Sequence, residues 1–200
     1  MVNSISLLEE GQREVINQNN MPKTILYIAQ SLDGYIARPD GNLDWLTSIP
    51  TPKDGDYGYE QLLQGTEIII MGRLTYEELL KFDMEWPYEN FKTYVVTSNP
   101  AFEIKTASTY LLTSPISSFI TNWKQTATKN AWIVGGSKLI ASFLHQNLID
   151  EMIITIIPKT IGVGIPLFSN NIPEQNFQLI HSEVFETGVV NLTYVKETKY

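Results

Sequence analysis

The sequence predicts an α/β protein: a parallel-rich sheet covered on both faces and closed by an antiparallel hairpin. Three observations predict it. From Lys23 onward, apolar strand-like runs alternate with segments at helical spacing, the pattern of parallel strands joined by crossover helices. The last two apolar runs, on either side of Thr187-Gly188, instead alternate with period two, as hairpin strands do. No internal repeat, low-complexity tract or linker divides the chain, so residues 21–200 are expected to form one domain.

The elements follow in order. TILYIAQS is the first strand, and it breaks at Asp33-Gly34. A short helix is expected over 43–49 with Asn42 as its N-cap, and another over 57–63 closed by Gly65. Then come a buried strand over 67–71, a helix over 74–81 and a strand over 93–97. A short strand over 107–112, a helix over 115–125, a strand over 131–134 ending in Gly135-Gly136 and a helix over 137–145 continue the alternation. MIITIIP is the next strand, and the hairpin pairs 177–186 with 189–195. Residues 1–20 end in Gln18-Asn19-Asn20, and a second methionine, Met21, directly precedes the first strand, so they are expected to be a loosely ordered N-terminal extension.

With 14 Lys and Arg against 22 Asp and Glu, the 200-residue chain carries a formal net charge of −8. Such a surface argues against nucleic acid as a partner, because basic residues on phosphates supply most of that affinity. Cysteine is absent. That removes disulfide frameworks, thiolate zinc sites and cysteine nucleophiles together, and makes a reducing compartment, the cytoplasm, the expected location. No apolar run approaches the ~18 residues of a membrane span, so no membrane partner is expected. Glu9 and Glu10 stand where a secretion signal would carry positive charge. Three of the basic residues are arginines: Arg13, Arg38 and Arg73.

Several familiar signatures are missing. GVGIPL has two glycines of a dinucleotide-binding turn but lacks the third, and Pro166 forbids the helix that should open there, so a turn or bulge at a strand end is the better reading. GGSK lacks the spacer of a Walker loop, and no nucleophile elbow occurs. His145 and His181 have no partner at helical spacing, so no metal is expected. What remains is a set of turns at strand ends, where open α/β sheets place their ligand crevice.

Gly72-Arg73 follows the strand run EIIIM and precedes the helical run LTYEELL. Unpaired backbone N–H groups and a partial positive charge would face an anionic phosphate there, with Arg73 adding charge and Thr75 a hydroxyl. The competing reading has Gly72 merely turning the chain and Arg73 in a surface salt bridge. Gly135-Gly136 repeats the geometry before the helix that begins near Ser137, and consecutive glycines admit a backbone approach that side chains would block. Simple strand-helix packing explains the pair equally well. Asp33 and Asp44, in SLDGYIARPDGNLDWL, are carboxylates able to hold a heterocycle's N–H groups or assist proton delivery. An acid in a first helical turn is also favoured by the macrodipole alone.

In their order and spacing, IAQSLDGYIA, GNLDWL, MGRLTYEEL, VVTSNP, IVGGSKLIASFL and DEMIITIIPKTIGVGIPLF resemble the dihydrofolate reductase family. The resemblance is closer to its bacterial branch grouped with the C-terminal reductase domain of riboflavin biosynthesis, and it runs from about Lys23 to Val195. It implies a three-layer α/β/α fold with a mixed, mostly parallel sheet, and NADPH as hydride donor. NADH is not excluded, because VTSNP supplies hydroxyls but no arginine for a ribose phosphate. By the resemblance, Ala29 and Ile36 flank the nicotinamide, and Gly72, Arg73, Leu74 and Thr75 hold the pyrophosphate side. Thr97, Ser98 and Asn99 lie near the adenosine ribose, and Gly135, Gly136, Ser137 and Lys138 complete the clamp, with a cis peptide between the two glycines. Asp44 falls at the family's acidic substrate residue, where it would hydrogen-bond the heterocycle and favour protonation of a carbon–nitrogen double bond. Tyr35 and Trp45 either wall that pocket or belong to the core.

Two departures bear on the substrate. Folate reductases carry an arginine just before the strand equivalent to TYVVT, and here Phe91-Lys92 stands in its place, which keeps charge but loses the bidentate fork for a folate carboxylate. The loop between Asp33 and Asp44 is also shorter than its folate-enzyme counterpart, while riboflavin-pathway enzymes have a different glycine-rich turn where this chain has MGRLTYE. The expected activity is therefore an NADPH-dependent reductase acting on a carbon–nitrogen double bond or carbonyl of a pterin- or pyrimidine-like small molecule. The alternatives are 5-amino-6-(5-phosphoribosylamino)uracil reductase and a nucleotide-binding module without turnover. A homodimer is expected, since relatives of this kind often pair.

Overall fold

The computed structural model describes residues 21–197 apart from 54, 83 and 170, and the extension expected over residues 1–20 lies outside the described residues. Along the chain, β1 (Thr24–Ser31) and β2 (Tyr35–Ala37) lead to α1 (Asp44–Thr47), α2 (Tyr59–Gln64), β3 (Thr66–Gly72) and α3 (Arg73–Leu79). Then come β4 (Lys92–Val96), β5 (Thr109–Leu112), α4 (Ile116–Lys124), β6 (Asn130–Gly135) and α5 (Ser137–His145). β7 (Glu151–Ile157), β8 (Ile165–Pro166), β9 (Phe177–Val184) and β10 (Val190–Lys196) complete the described chain.

Eight strands form one sheet in the order β5-β4-β3-β6-β1-β7-β10-β9. The first six run parallel, and β10 is antiparallel to both β7 and β9. The expected mixed sheet ending in a hairpin is thus what the chain forms. Alternation along each strand sorts the side chains onto two faces. Leu26, Ile68, Ile70, Ile133 and Ile154 pack beneath α4 and α5, meeting Ile120, Leu139, Ile140 and Phe143. Ile25, Ile69, Met71, Val95 and Trp132 face the other way, against Leu62 of α2 and Tyr76 of α3. Three layers result. In α5 the pairs Leu139-Ile140 and Phe143-Leu144 recur one turn apart and are all buried, so one stripe of the helix holds it to the sheet. Burial of each such side chain is worth roughly 1.5–3 kcal/mol relative to leaving it exposed.

Three local expectations are corrected. α2 begins at Tyr59 rather than at residue 57, because Tyr57 (φ 61°) and Gly58 (φ 85°) are both left-handed and cannot continue a helix. α1 is a single turn whose N-cap is Leu43, not Asn42. Asn42 still supports that turn, because its Oδ1 accepts the Asp44 N–H at 2.7 Å. The segment GVGIPL is more than a turn: Ile165 and Pro166 pair antiparallel with Ala37 and Tyr35 as a small second sheet. Proline is tolerated there because this two-residue strand lies at a sheet edge.

Candidate functional site

Because the six parallel strands share a direction, their carboxyl ends lie along one edge of the sheet, and the loops leaving that edge carry most of the expected residues. Register places them level with one another: Met71 pairs with Gly135 across β3 and β6, and Gly72 pairs with Val96 across β3 and β4. Gly72, Gly135 and Thr97, the residue after β4, therefore line up on adjacent strands.

The two glycine turns touch. A first side-chain carbon at Gly72 would stand 3.7 Å from the Gly135 carbonyl oxygen and 3.9 Å from the Gly136 nitrogen. One at Gly136 would stand 3.5 Å from Thr75 Oγ1 and 4.0 Å from Ile36 Cδ1. The Gly135–Gly136 peptide is cis, as the family resemblance implies, and Gly135 has φ 124°. Gly72 and Gly136 are the N-cap residues of α3 and α5, both in extended backbone, and neither start has a side-chain cap. First-turn N–H groups have no acceptor within their own helix, so these two starts leave donors pointing at the shared edge. A diphosphate is a fitting acceptor for such a cradle by charge and by hydrogen-bonding capacity.

The side chains at these starts are arranged unequally. Arg73 binds both carboxylate oxygens of Glu77 one turn along, at 2.7 and 2.8 Å, and its guanidinium lies 5.9 Å from the centre of the Phe102 ring. Its charge is thus matched locally, as the surface salt-bridge reading anticipates. Leu74 is exposed, Thr75 half-buried and Lys138 exposed. Thr97 Oγ1 accepts the Asn99 N–H, and Asn99 Oδ1 accepts the Ala101 N–H, so these two residues shape the turn after β4, with Ser98 exposed between them.

The small β2–β8 sheet closes over the second turn. Ser137 Oγ donates to the Pro166 carbonyl oxygen, and the Leu167 N–H donates to the Gly34 carbonyl at 2.9 Å. Asp33 is part of the same strap: its carboxylate accepts the Ser31 hydroxyl at 2.6 Å and the N–H groups of Ile161 and Gly162 at 3.1 and 2.7 Å. These donors, the Ser31 hydroxyl foremost, hold Asp33 below the ordinary carboxylate range. Gly164 is required by space alone, since a side-chain carbon there would lie 2.3 Å from the Ala37 carbonyl oxygen.

On the other side of β1, Asp44 forms a bidentate pair with Arg38, Oδ1 accepting from Nε at 2.5 Å and Oδ2 from Nη2 at 2.9 Å. The Arg38 hydrogen bond holds the carboxyl below its usual range, and both side chains are substantially exposed. Trp45 points the other way. It is 1% exposed and packs with Ile157 and Val189, against Ala29, Tyr57 and Phe185. Any influence it has on a pocket is exerted from beneath. Tyr35 is half-buried in the small sheet, opposite Pro166.

Sequence reasoning missed a buried polar relay under this corner. Thr155, paired with Ala29 in the sheet, donates from Oγ1 to Asn191 Oδ1 at 2.7 Å, and Asn191 Nδ2 donates to the Tyr57 carbonyl at 2.6 Å. Tyr27 OH donates to that same carbonyl at 3.0 Å. The available signal was polar residues at inward positions, Thr155 in EMIITII and Asn191 in VNLTYVK.

Relatives fit this architecture. The Bacillus subtilis (strain 168) uncharacterized protein YwjB is 38% identical over 174 residues, spanning 87% of this chain and 98% of its own length. A solved structure described as a putative riboflavin biosynthesis protein from Shewanella sp. PV-4 superposes with TM-score 0.80 at 34% identity, covering 88% of this chain and 99% of that one. Dihydrofolate reductase from Enterococcus faecalis, solved with NADP(H), shares the fold at TM-score 0.64 and 19% identity, over 88% of this chain and 97% of that one. The family model of the RibD C-terminal domain matches residues 22–191. With its sheet order, its paired glycine turns and that match, the chain belongs to the RibD C-terminal domain family.

Proposed function

We propose that the protein is an NADPH-dependent reductase that transfers hydride to a carbon–nitrogen double bond or carbonyl of a pterin- or pyrimidine-like molecule, and that it works as a homodimer. The observation that carries the reading is the pair of uncapped helix starts meeting at Gly72 and Gly135-Gly136, a cradle of backbone donors open to an anion. In this reading the amides of the two turns, with Thr75, Ser137 and Lys138, hold the diphosphate. Ala29 and Ile36 border the nicotinamide, and Thr97, Ser98 and Asn99 border the adenosine ribose. Arg73, already matched by Glu77, contributes orientation more than charge. When bound, the dinucleotide supplies the hydride.

Asp44 accepts N–H groups of the heterocycle. Arg38 keeps it ionised, so the carboxylate orients and polarises the substrate, and the proton that follows hydride comes from solvent. Tyr35 borders the same pocket, and Trp45 supports it from the core.

Titration with NADPH and NADH tests the first step by protein-dependent fluorescence and thermal shift. No change at millimolar ligand overturns the reading. Gly136→Ala should fold, because its new carbon meets only ordinary contacts of 3.5 Å and 4.0 Å, yet it should weaken NADPH binding roughly tenfold by crowding the cradle. A panel of folates, pterins and pyrimidine ribotides, assayed for NADPH consumption with wild type and Asp44→Asn, identifies the substrate. A module without turnover would bind the dinucleotide and show no Asp44-dependent oxidation.

A further inference from the structure

Arg38 meets Asp44 along one edge of its guanidinium. Nε–H and Nη2–H run side by side to the two carboxylate oxygens, at 2.5 and 2.9 Å. Arg73 does not use that edge, because its single Nη1 takes both oxygens of Glu77. The side-on fork is the form in which arginine fits a carboxylate most closely. It is also a chemical copy of the group that Asp44 receives in the reading above. In a 2-amino heterocycle, a ring N–H and the neighbouring amino group hang on one carbon, as Nε and Nη2 hang on the guanidinium carbon. Both offer a carboxylate the same two parallel donors.

We propose that Arg38 occupies the substrate's place on Asp44, as an internal stand-in that a heterocycle bearing a ring N–H beside an amino group displaces when it binds. The inference rests on the reading of Asp44 as the substrate acceptor and narrows the substrate class. A ring without that donor pair cannot exchange for the arginine.

The loop tolerates the exchange, because its backbone is held independently of the ion pair. The Arg38 N–H donates to the Asn42 carbonyl at 3.0 Å, the Gly41 N–H to the Arg38 carbonyl at 2.9 Å, and the Asp44 N–H to Asn42 Oδ1 at 2.7 Å. The turn therefore keeps its shape when the guanidinium leaves. Buried Trp45 fixes the one-turn helix that carries Asp44. Both partners of the pair are substantially exposed, and exposed ion pairs contribute little, so a ligand can part them. A second acceptor lies close to the arginine. The Asp44 hydrogen bond foremost, and the charge of Asp40 as well, hold Arg38 above its ordinary range. Asp40 Oδ1 accepts the Asn42 N–H, and its Oδ2 has no partner among the described residues, which leaves it able to receive the displaced guanidinium.

Pterin and lumazine, two fluorescent bicyclic rings, test the exchange by fluorescence anisotropy with the full chain at neutral pH. Pterin carries the donor pair, and lumazine has a carbonyl where pterin has the amino group. Arg38→Ala should bind pterin about two- to fivefold more tightly than wild type, the range an exposed ion pair can hold back, and should leave lumazine binding unchanged. Asp44 stays ionised in that variant, since an exposed carboxylate titrates at about pH 4. Asp44→Asn should abolish the preference for pterin, with or without Arg38. If Arg38→Ala weakens pterin binding or leaves it unchanged while Asp44→Asn still removes the preference, the arginine positions Asp44 and the inference alone is overturned. An equal gain for lumazine overturns it too, because charge or space and not the donor pair would be responsible. No preference for pterin in wild type and Arg38→Ala, or a preference that survives Asp44→Asn, overturns the Asp44 reading and this inference with it. Both side chains are exposed, and circular dichroism checks that each variant is folded.

Discussion

Beneath α4 and α5 the sheet is packed by aliphatic side chains, among them Leu26, Ile68, Ile70, Ile133, Leu139, Ile140 and Leu144, with Phe143 at the centre. Beneath α2 and α3 it is packed by rings. Trp132 meets Tyr27, Tyr59 and Tyr88 edge-on at 6.3, 5.7 and 5.5 Å, and Trp86 bridges Tyr88 and Tyr76 at 5.2 and 5.4 Å. The difference follows from what covers each face. Nine-residue helices present a regular stripe that branched aliphatics fill. Helices of six and seven residues leave loops over the sheet, whose backbone groups need partners. Rings with polar ends answer both needs: Tyr76 OH accepts the Lys105 N–H at 2.8 Å, and Trp132 Nε1 donates to the Tyr27 carbonyl at 3.1 Å.

Three changes would break or sharpen this contrast. The largest effect is expected on the aliphatic face, where Phe143→Ala should cost about 3–5 kcal/mol in urea unfolding, because close-packed neighbours on a regular helix cannot collapse into the void. A loss under 1 kcal/mol would mean that this face is as adaptable as the other. Next comes a titration on the aromatic face. Burial pushes Tyr27 up to about 12 from its ordinary 10.0, and pushes Tyr88 further in the same direction. A group whose folded value is raised contributes stability that is intact below the unfolded value and lost as pH climbs towards the folded one. Stability should therefore fall between pH 10 and pH 12, by roughly 2–3 kcal/mol from Tyr27 alone. Unfolding curves of wild type and Tyr27→Phe over that range should diverge, the variant losing less; parallel curves would show that this ring is not responsible. The smallest is Tyr76→Phe, which keeps the ring and removes the acceptor of the Lys105 N–H, at a cost of about 1–2 kcal/mol.

The parts legible in the sequence were those fixed by short-range pattern. Strand runs such as EIIIM and AWIV, and the glycines that end them, predict β3, β6 and the two turns because apolar runs and left-handed or crowded backbone leave direct marks in residue type. Long-range constraints left none. β2 and β8 are three and two residues long, and their pairing depends on Asp33 gripping residues 161 and 162, some 128 positions away. The Arg38–Asp44 pair joins the loop after β2 to the first residue of α1, yet nothing in RPDGNLD says that the guanidinium turns back onto that carboxylate rather than onto Asp40. Tyr57 is a non-glycine residue with positive φ, held there by Tyr27 and Asn191 on its carbonyl, so the helix start read at residue 57 fell two residues early. Trp45 illustrates the same limit, since a tryptophan beside a candidate site reads alike whether it faces the ligand or the core.

The crowding at Gly164 has a consequence for how the molecule can diversify. With the Ala37 carbonyl oxygen filling the place of a side chain, no single codon change at 164 is accommodated unless β2 also shifts, whereas Gly162 has open space and only its φ of 75° to satisfy, which asparagine or aspartate can do. Lineages descended from this chain can therefore vary the loop freely on one side of the pinch and hardly at all at the pinch itself. Position 164 is thus inherited as the fixed point at which β8 meets β2, whatever changes around it.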